Sequence, residues 1–103
     1  MDALEPSPEI TLPLSKIVKG DNPRRYFDRA KHEELVASIR RRGVLQPILL
    51  RPKEGFFAIV AGERRYRASL EVYGPEGEIP VVIRDMTDQE ALEAAIAENH
   101  DRD

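Results

Sequence analysis

The sequence predicts a small α/β or α+β domain built around a mixed β-sheet. Short strand and helix patterns alternate along the chain, and turns containing glycine and proline separate them. The 103 residues, 41% of them hydrophobic, suffice for one domain with a modest core. There is no cysteine, which excludes disulfides, a thiolate metal site and a cysteine nucleophile.

The first third of the chain predicts a lead-in, an edge strand and a helix. Residues 1–8 form a loose lead-in without the basic start and apolar centre of a secretory signal, so we expect a cytoplasmic protein. Residues 9–14 alternate polar and apolar types, and Pro13 confines such a strand to a sheet edge. A turn at residues 20–23 precedes a helix over residues 30–42, which ends at Gly43. Its apolar face comprises Leu35, Val36 and Ile39.

The rest of the chain predicts a hairpin, a helix, a strand and a last helix. Residues 45–51 and 56–61 are the hairpin strands, with a turn at residues 52–55. Gly62 starts a helix that reaches about Val72, and residues 79–83 form a third strand. Thr87 and Glu90 form a capping box, in which each side chain accepts a hydrogen bond from the other residue's backbone. The helix that follows runs to about Asn99, with Leu92, Ala95 and Ile96 on one face.

The charges are distributed unevenly. The net charge is −3, residues 1–15 contain no Lys or Arg, and residues 85–103 contain seven acids and Arg102 as the single base. The other 15 basic residues lie between Lys16 and Arg84. Such a basic centre suits a compact polyanion such as a nucleotide, or it is a solvated surface.

The segment Gly62-Glu63-Arg64-Arg65-Tyr66-Arg67-Ala68 carries the strongest chemical signal. A glycine between a strand and a helix lets the backbone approach a ligand, and the helix amino terminus favours an anion. Three guanidiniums beside it can bind several phosphate oxygens at once. The P-loop pattern is absent. Alternatively, these arginines are surface residues, and Glu63 only stabilises the first helical turn.

Three other segments are candidates for binding. Glu98 and Asn99 offer the oxygen ligands that Mg²⁺ prefers, and Arg102 can reach a phosphate or Glu98; the alternative is a frayed acidic helix end. Gln46, in extended backbone before Pro47, can contact a base edge, or it is a polar residue in a connection. The turn Asn22-Pro23-Arg24-Arg25 offers two more arginines, and we expect Phe27 in the core.

These segments, in this order, resemble the ParB family of DNA-partition proteins. The similarity runs from about Ile10 to Arg102, and the Gly-Glu-Arg-Arg-x-Arg-Ala string is highly specific. The resemblance implies the ParB/sulfiredoxin α+β fold, a small mixed sheet with about three to four helices, over residues 9–103. It also implies binding of CTP with Mg²⁺ and slow CTP hydrolysis. The sulfiredoxin branch of the fold is excluded, because its chemistry needs a cysteine.

By this resemblance, the site residues fall into three groups. Gln46 lines the cytosine, and Glu98 and Asn99 bind the metal, with Glu98 also the catalytic residue that positions or activates water. The residues implied around the triphosphate are Gly62, Glu63, Arg64, Arg65, Arg67 and Arg102.

The resemblance also implies partners. Nucleotide binding in the family closes two subunits into a clamp on DNA, and we expect the helix-turn-helix and dimerisation domains outside this chain. The family's partly basic tail engages a ParA-type ATPase, whereas residues 1–15 here lack Lys and Arg, which leaves that partner open. We expect no membrane partner. Two other functions compete: a metal-dependent nuclease using Glu63, Glu98 and Asp101, and a nucleotide-dependent kinase for small molecules.

Overall fold

Five strands form one mixed sheet, with three α-helices packed around it. The computed structural model describes residues 10–20 and 28–101, with the side chains of the last helix described to residue 97. The strands are β1 (Ile10–Pro13), β2 (Ile17–Val18), β3 (Ile48–Lys53), β4 (Phe56–Ala61) and β5 (Glu78–Ile83). The helices are α1 (Arg29–Arg42), α2 (Glu63–Tyr73) and α3 (Asp88–Asp101), and a short 3₁₀ turn spans Leu14–Lys16.

The strand order β1-β5-β3-β4-β2 combines both kinds of pairing. β1 with β5 and β3 with β4 are antiparallel, whereas β3 with β5 and β4 with β2 are parallel. Because β2 and β4 run in the same direction, their carboxyl ends meet at one edge of the sheet. The residue after β4 is Gly62, and the residues after β2 are Lys19 and Gly20.

The main core lies between one face of the sheet and α2. It contains seven buried aliphatic residues, and Tyr66 and Leu70 of α2 pack against them. A second cluster joins α1 to α2 through Val36, Ile39 and Ala68. The seven residues are Leu14, Ile17, Ile48, Leu50, Ile59, Ile79 and Val81.

The third helix contacts β4 from the other side of the sheet. Arg51 follows Leu50 of the core in β3, so its side chain points to the opposite face, where it bonds to the start of α3. The capping box forms as predicted: Glu90 N donates to Thr87 Oγ1 at 3.1 Å, and Thr87 N donates to Glu90 Oε1 at 3.0 Å. The expected apolar face is nevertheless largely solvated. Ala95 is buried, whereas Leu92 and Ile96 are 43% and 49% exposed.

Most predicted elements are present, with three corrections. The first hairpin strand begins at Ile48 rather than at residue 45, because the backbone through Leu45 and Gln46 connects α1 to the sheet. The turn comprises only Glu54 and Gly55, both with positive φ, as a two-residue type I′ hairpin requires. The prediction also missed β2, whose two residues are too few for a periodic pattern. Phe27 and the turn at residues 21–23 lie outside the described residues.

Candidate functional site

The junction between β4 and α2 is a sharp corner at Gly62. Gly62 has φ 108° and ψ 25°, and its carbonyl accepts the first helical hydrogen bond, from Tyr66 N at 2.9 Å. A Cβ added to Gly62 would lie 3.1 Å from Arg65 Nη2 and 3.1 Å from Ile48 Cγ1. The backbone angle therefore favours glycine, and a side chain here would force Arg65 and Ile48 to shift by a few tenths of an ångström.

The strand that leads into this corner is irregular. β3 and β4 change register between Leu49 and Leu50, because Leu49 pairs with Ala61 whereas Leu50 pairs with Ile59. Val60 is thus the extra residue of a β-bulge, two positions before Gly62. Bulges bend a strand and change the direction of the residues that follow. This bulge helps set the angle at which the chain enters α2.

Arg65 connects the corner to the segment before β3. Its Nη1 donates to Gln46 Oε1 at 3.3 Å, and its Nη2 donates to the Pro47 carbonyl at 3.4 Å. Arg65 is half-buried and Gln46 is exposed. Arg65 and Gln46, which are 19 residues apart in sequence, are therefore in direct contact.

A lysine that sequence reasoning missed lies beside the corner. Lys19 Nζ is 4.0 Å from Glu63 Oε2, and the Glu63 side chain is largely buried whereas that of Lys19 is exposed. Gly20 follows, and a Cβ there would lie only 1.9 Å from the Ile59 carbonyl oxygen. Lys19 follows the two-residue strand β2, which is too short to be recognised from the sequence, so no local signal indicated this contact.

The remaining predicted residues of the arginine string lie on α2. Arg64 is half-buried and Arg67 is exposed, and both take part in interactions with their surroundings. The N–H groups before Tyr66 point out of the amino-terminal end of α2, where the helix dipole favours negative charge. The structure thus gathers Gln46, Gly62, Glu63 and Arg65 with their neighbours on α2 at one edge of the sheet. Their role as nucleotide ligands stays a prediction.

The predicted metal ligands lie at the far end of α3. Glu98 and Asn99 belong to its last turns, but their side chains and that of Asp101 are beyond the described side chains, and Arg102 lies beyond the described residues, as do Arg24 and Arg25. Among the residues that are described, no three His, Asp or Glu side chains converge on a common metal position. None of the described helices is both long and apolar enough to cross a membrane.

Comparisons with known proteins agree on one family. Residues 3–100 match the ParB N-terminal domain. The chain is 50% identical over 94 residues to the probable chromosome 1-partitioning protein ParB of Deinococcus radiodurans, a match that covers 90% of this chain and 32% of that protein. The chain spans about a third of the length of the curated relatives it matches.

Solved structures give the same fold. The C-terminally truncated ParB of Caulobacter crescentus, complexed with CTP-γ-S, matches with a TM-score of 0.83 at 40% identity, over 94% of this chain and 55% of that one. The same protein complexed to the centromeric parS site matches with a TM-score of 0.74 at 37% identity, over 90% of this chain and 48% of that one. Sulfiredoxin from Arabidopsis thaliana matches at 0.68 and 31% identity, over 87% of this chain and 98% of that one. The predicted ParB/sulfiredoxin α+β fold is confirmed.

Proposed function

This chain belongs to the family of ParB N-terminal domains, and we propose that it is the CTP-binding switch domain of a DNA-partition protein. The contact between Arg65 and Gln46 carries the proposal, because it joins the segment assigned to the triphosphate to the segment assigned to the base. The Caulobacter relative, 40% identical over most of this chain, was solved with a CTP analogue.

The corner at Gly62 suits a triphosphate in several ways. A glycine with positive φ allows close approach of the backbone, and the amino-terminal end of α2 adds backbone donors and a favourable dipole. Arg64, Arg65 and Arg67 supply planar guanidiniums that pair with phosphate oxygens. Lys19 adds a further positive charge beside the corner, where it also offsets the negative charge of Glu63.

Gln46 supplies base selectivity in this proposal. Because its Oε1 accepts a hydrogen bond from Arg65, the orientation of the Gln46 amide is fixed. Its NH₂ group then points away from Arg65 and can donate a hydrogen bond to a base. Cytosine presents N3 as an acceptor, whereas uracil carries a hydrogen at N3. An oriented donor at position 46 therefore favours CTP over UTP.

Mg²⁺ is the metal that fits the donors at the end of α3. A carboxylate from Glu98 and an amide oxygen from Asn99 are hard ligands of the kind that Mg²⁺ shares with phosphates. Bound there, Mg²⁺ would neutralise phosphate charge during a slow hydrolysis of CTP to CDP. Glu98 would orient the attacking water, and Arg102 would bind a phosphate.

The partners follow from the relatives. In the longer protein we propose that DNA is bound through further domains, that two subunits close into a clamp, and that the protein acts in the cytoplasm on the nucleoid or a plasmid. A relative is named as a chromosome-partitioning protein, and another was solved with parS. A ParA-type ATPase is a candidate partner of the same protein.

Calorimetric titration with the four ribonucleoside triphosphates, with and without Mg²⁺, tests the proposal. We expect CTP with Mg²⁺ to bind most tightly and, at 100 times its Kd, to stabilise the fold by about 2.7 kcal/mol. Arg65→Ala should abolish binding. Arg41→Ala, which removes an exposed arginine from the last turn of α1, should not.

Two outcomes would contradict the proposal. The first is equal affinity for all four nucleotides, or none at millimolar concentration. The second is nicking of plasmid DNA by the chain with Mg²⁺ or Mn²⁺, which would favour the nuclease instead.

A further inference from the structure

Arg51 is the buried charged residue of the sheet, and its two bonds go to neighbouring residues at the start of α3. Its Nη1 donates to the Met86 carbonyl at 3.1 Å, and its Nη2 donates to Asp88 Oδ1 at 2.7 Å. The Arg51 side chain is 8% exposed, whereas that of Asp88 is 85% exposed. One buried guanidinium on β3 therefore holds both the backbone before α3 and the first residue of α3.

Apart from this contact, α3 is weakly attached to the described part of the domain. Among its described side chains only Ala95 is buried, and this residue ends at Cβ. Ala91 and Ala94 beside it are half-buried, so the described contact of α3 with β4 is made by alanines. Such short side chains interlock little with the strand and permit the helix to tilt. The capping box between Thr87 and Glu90 is local to the helix start and does not tie it to a strand.

The direction of α3 matters because its far end carries the proposed metal ligands. Glu98 lies ten residues beyond Asp88, which is about 15 Å along the helix axis. A tilt of about 10° at the start would move that end by about 2.6 Å, given the same rise per residue. This displacement exceeds the Mg²⁺–oxygen distance of about 2.1 Å, so a small change of angle would separate the ligands from the metal.

We propose that Arg51 is a positioning residue of the nucleotide site, which acts by fixing the start of α3 and thereby the place of Glu98 and Asn99. This inference rests on the proposed function. The ion pair between Arg51 and Asp88 is well formed. The hydrogen bond and the charge of Arg51, together with the charge of Lys53, hold the pKa of Asp88 below its usual value of 3.8. Asp88 is thus ionised throughout the physiological pH range.

Two variants remove the contact from opposite sides. Asp88→Ala deletes an exposed side chain and so costs little packing, but it removes the carboxylate from the buried Arg51 guanidinium and should therefore lower the Tm. Arg51→Met replaces the guanidinium with an apolar side chain, and because Asp88 is exposed, no charge is left buried without a partner. Asp85→Ala is the matched control, because it removes one exposed acid from the same connection but no contact with Arg51.

The decisive measurement is CTP affinity with and without Mg²⁺. Because supporting partners of metal ligands typically contribute roughly 10-fold or more to metal affinity, both test variants should lose about that factor in Mg²⁺-dependent CTP binding. Their CTP affinity without Mg²⁺ should stay within about 2-fold of the original chain, as should both affinities of Asp85→Ala. An equal loss with and without Mg²⁺ would mean general damage, and no loss would mean that Arg51 has no positioning role.

Hydrogen exchange of the nucleotide-free chain tests the same contact independently. Both test variants, but not Asp85→Ala, should exchange faster along the whole of α3, including residues 96–101. Unchanged protection of those amides would overturn the inference even if CTP binds. A parent chain that binds no CTP would instead refute the proposed function, and the exchange data would still decide whether Arg51 fixes α3.

Discussion

Substituting Gly62 by alanine should damage stability and ligand binding together. An L-residue in left-handed backbone costs about 1–2 kcal/mol. The new Cβ would also press on Arg65 Nη2 and on Ile48, each within 3.2 Å, and such overpacking adds about 1–3 kcal/mol. Ile48 is fully buried, so it cannot move without disturbing the core. The sum is a large share of the roughly 5–15 kcal/mol that stabilises an ordinary domain.

A second glycine separates the two contributions. Gly55 has φ 87°, and a Cβ there would meet nothing within 4 Å, so Gly55→Ala should show the backbone cost alone. The additional crowding at Gly62, at about 2 kcal/mol, should lower the Tm by a further 8–16 °C or so, at about 4–8 °C per kcal/mol for a domain of this size. Circular dichroism melts and urea titrations of both variants measure the difference.

Binding provides the second half of this test. Gly62→Ala should lose CTP affinity in the presence of Mg²⁺, because the added methyl group would displace the guanidinium of Arg65, which the proposed function assigns to the triphosphate. Gly55→Ala should bind as the parent chain does. If Gly62→Ala is no less stable than Gly55→Ala and retains CTP binding, the corner at Gly62 is neither sterically restricted nor the seat of the triphosphate.

Three further predictions follow from single contacts. Gly20→Ala would place a Cβ 1.9 Å from a carbonyl oxygen of β4, so urea titration should show a loss of about 3 kcal/mol; a loss below about 1 kcal/mol would contradict that packing. Gln46→Glu replaces the amide donor with a carboxylate that pairs with Arg65, so calorimetry should show the preference for CTP over UTP lost while the Tm is maintained. The lowered pKa of Asp88 means that its pair with Arg51 contributes stability above pH 3.8, which is lost as the pH falls through the lower folded-state pKa. Asp88→Asn should therefore weaken the fall of the free energy of unfolding with pH on the acid side, as urea titrations at several pH values measure. An unchanged pH dependence would argue against the contribution of the Arg51–Asp88 pair.

Local signals explain why much of the fold was predictable. The hairpin strand at residues 56–61 is an uninterrupted apolar run after a glycine turn, and the predicted range coincides with β4. The capping box at Thr87 is a four-residue pattern whose hydrogen bonds are determined by neighbours in sequence. The glycine between a strand and an arginine-rich helix likewise indicates a corner from local sequence alone.

What could not be predicted depends on contacts between distant segments. The bulge at Val60 exists only as a change of register against β3, and no residue type demands it. Lys19 meets Glu63 because β2 pairs in parallel with β4, across a separation that no local pattern reports. The exposure of Leu92 and Ile96 also depends on how α3 lies against the sheet rather than on its apolar periodicity.

The bond from Arg65 to Pro47 has a consequence for how this site can diversify. Its acceptor is a main-chain oxygen, which every amino acid retains, so the bond does not depend on the side chain at position 47. Position 46, whose side chain accepts the bond from Arg65 Nη1, is exposed to solvent. Under the proposed function, base preference can therefore change by substitution at one side chain while Arg65 keeps its bond to the main chain, which offers a simple route to altered nucleotide choice in the redesign of this domain.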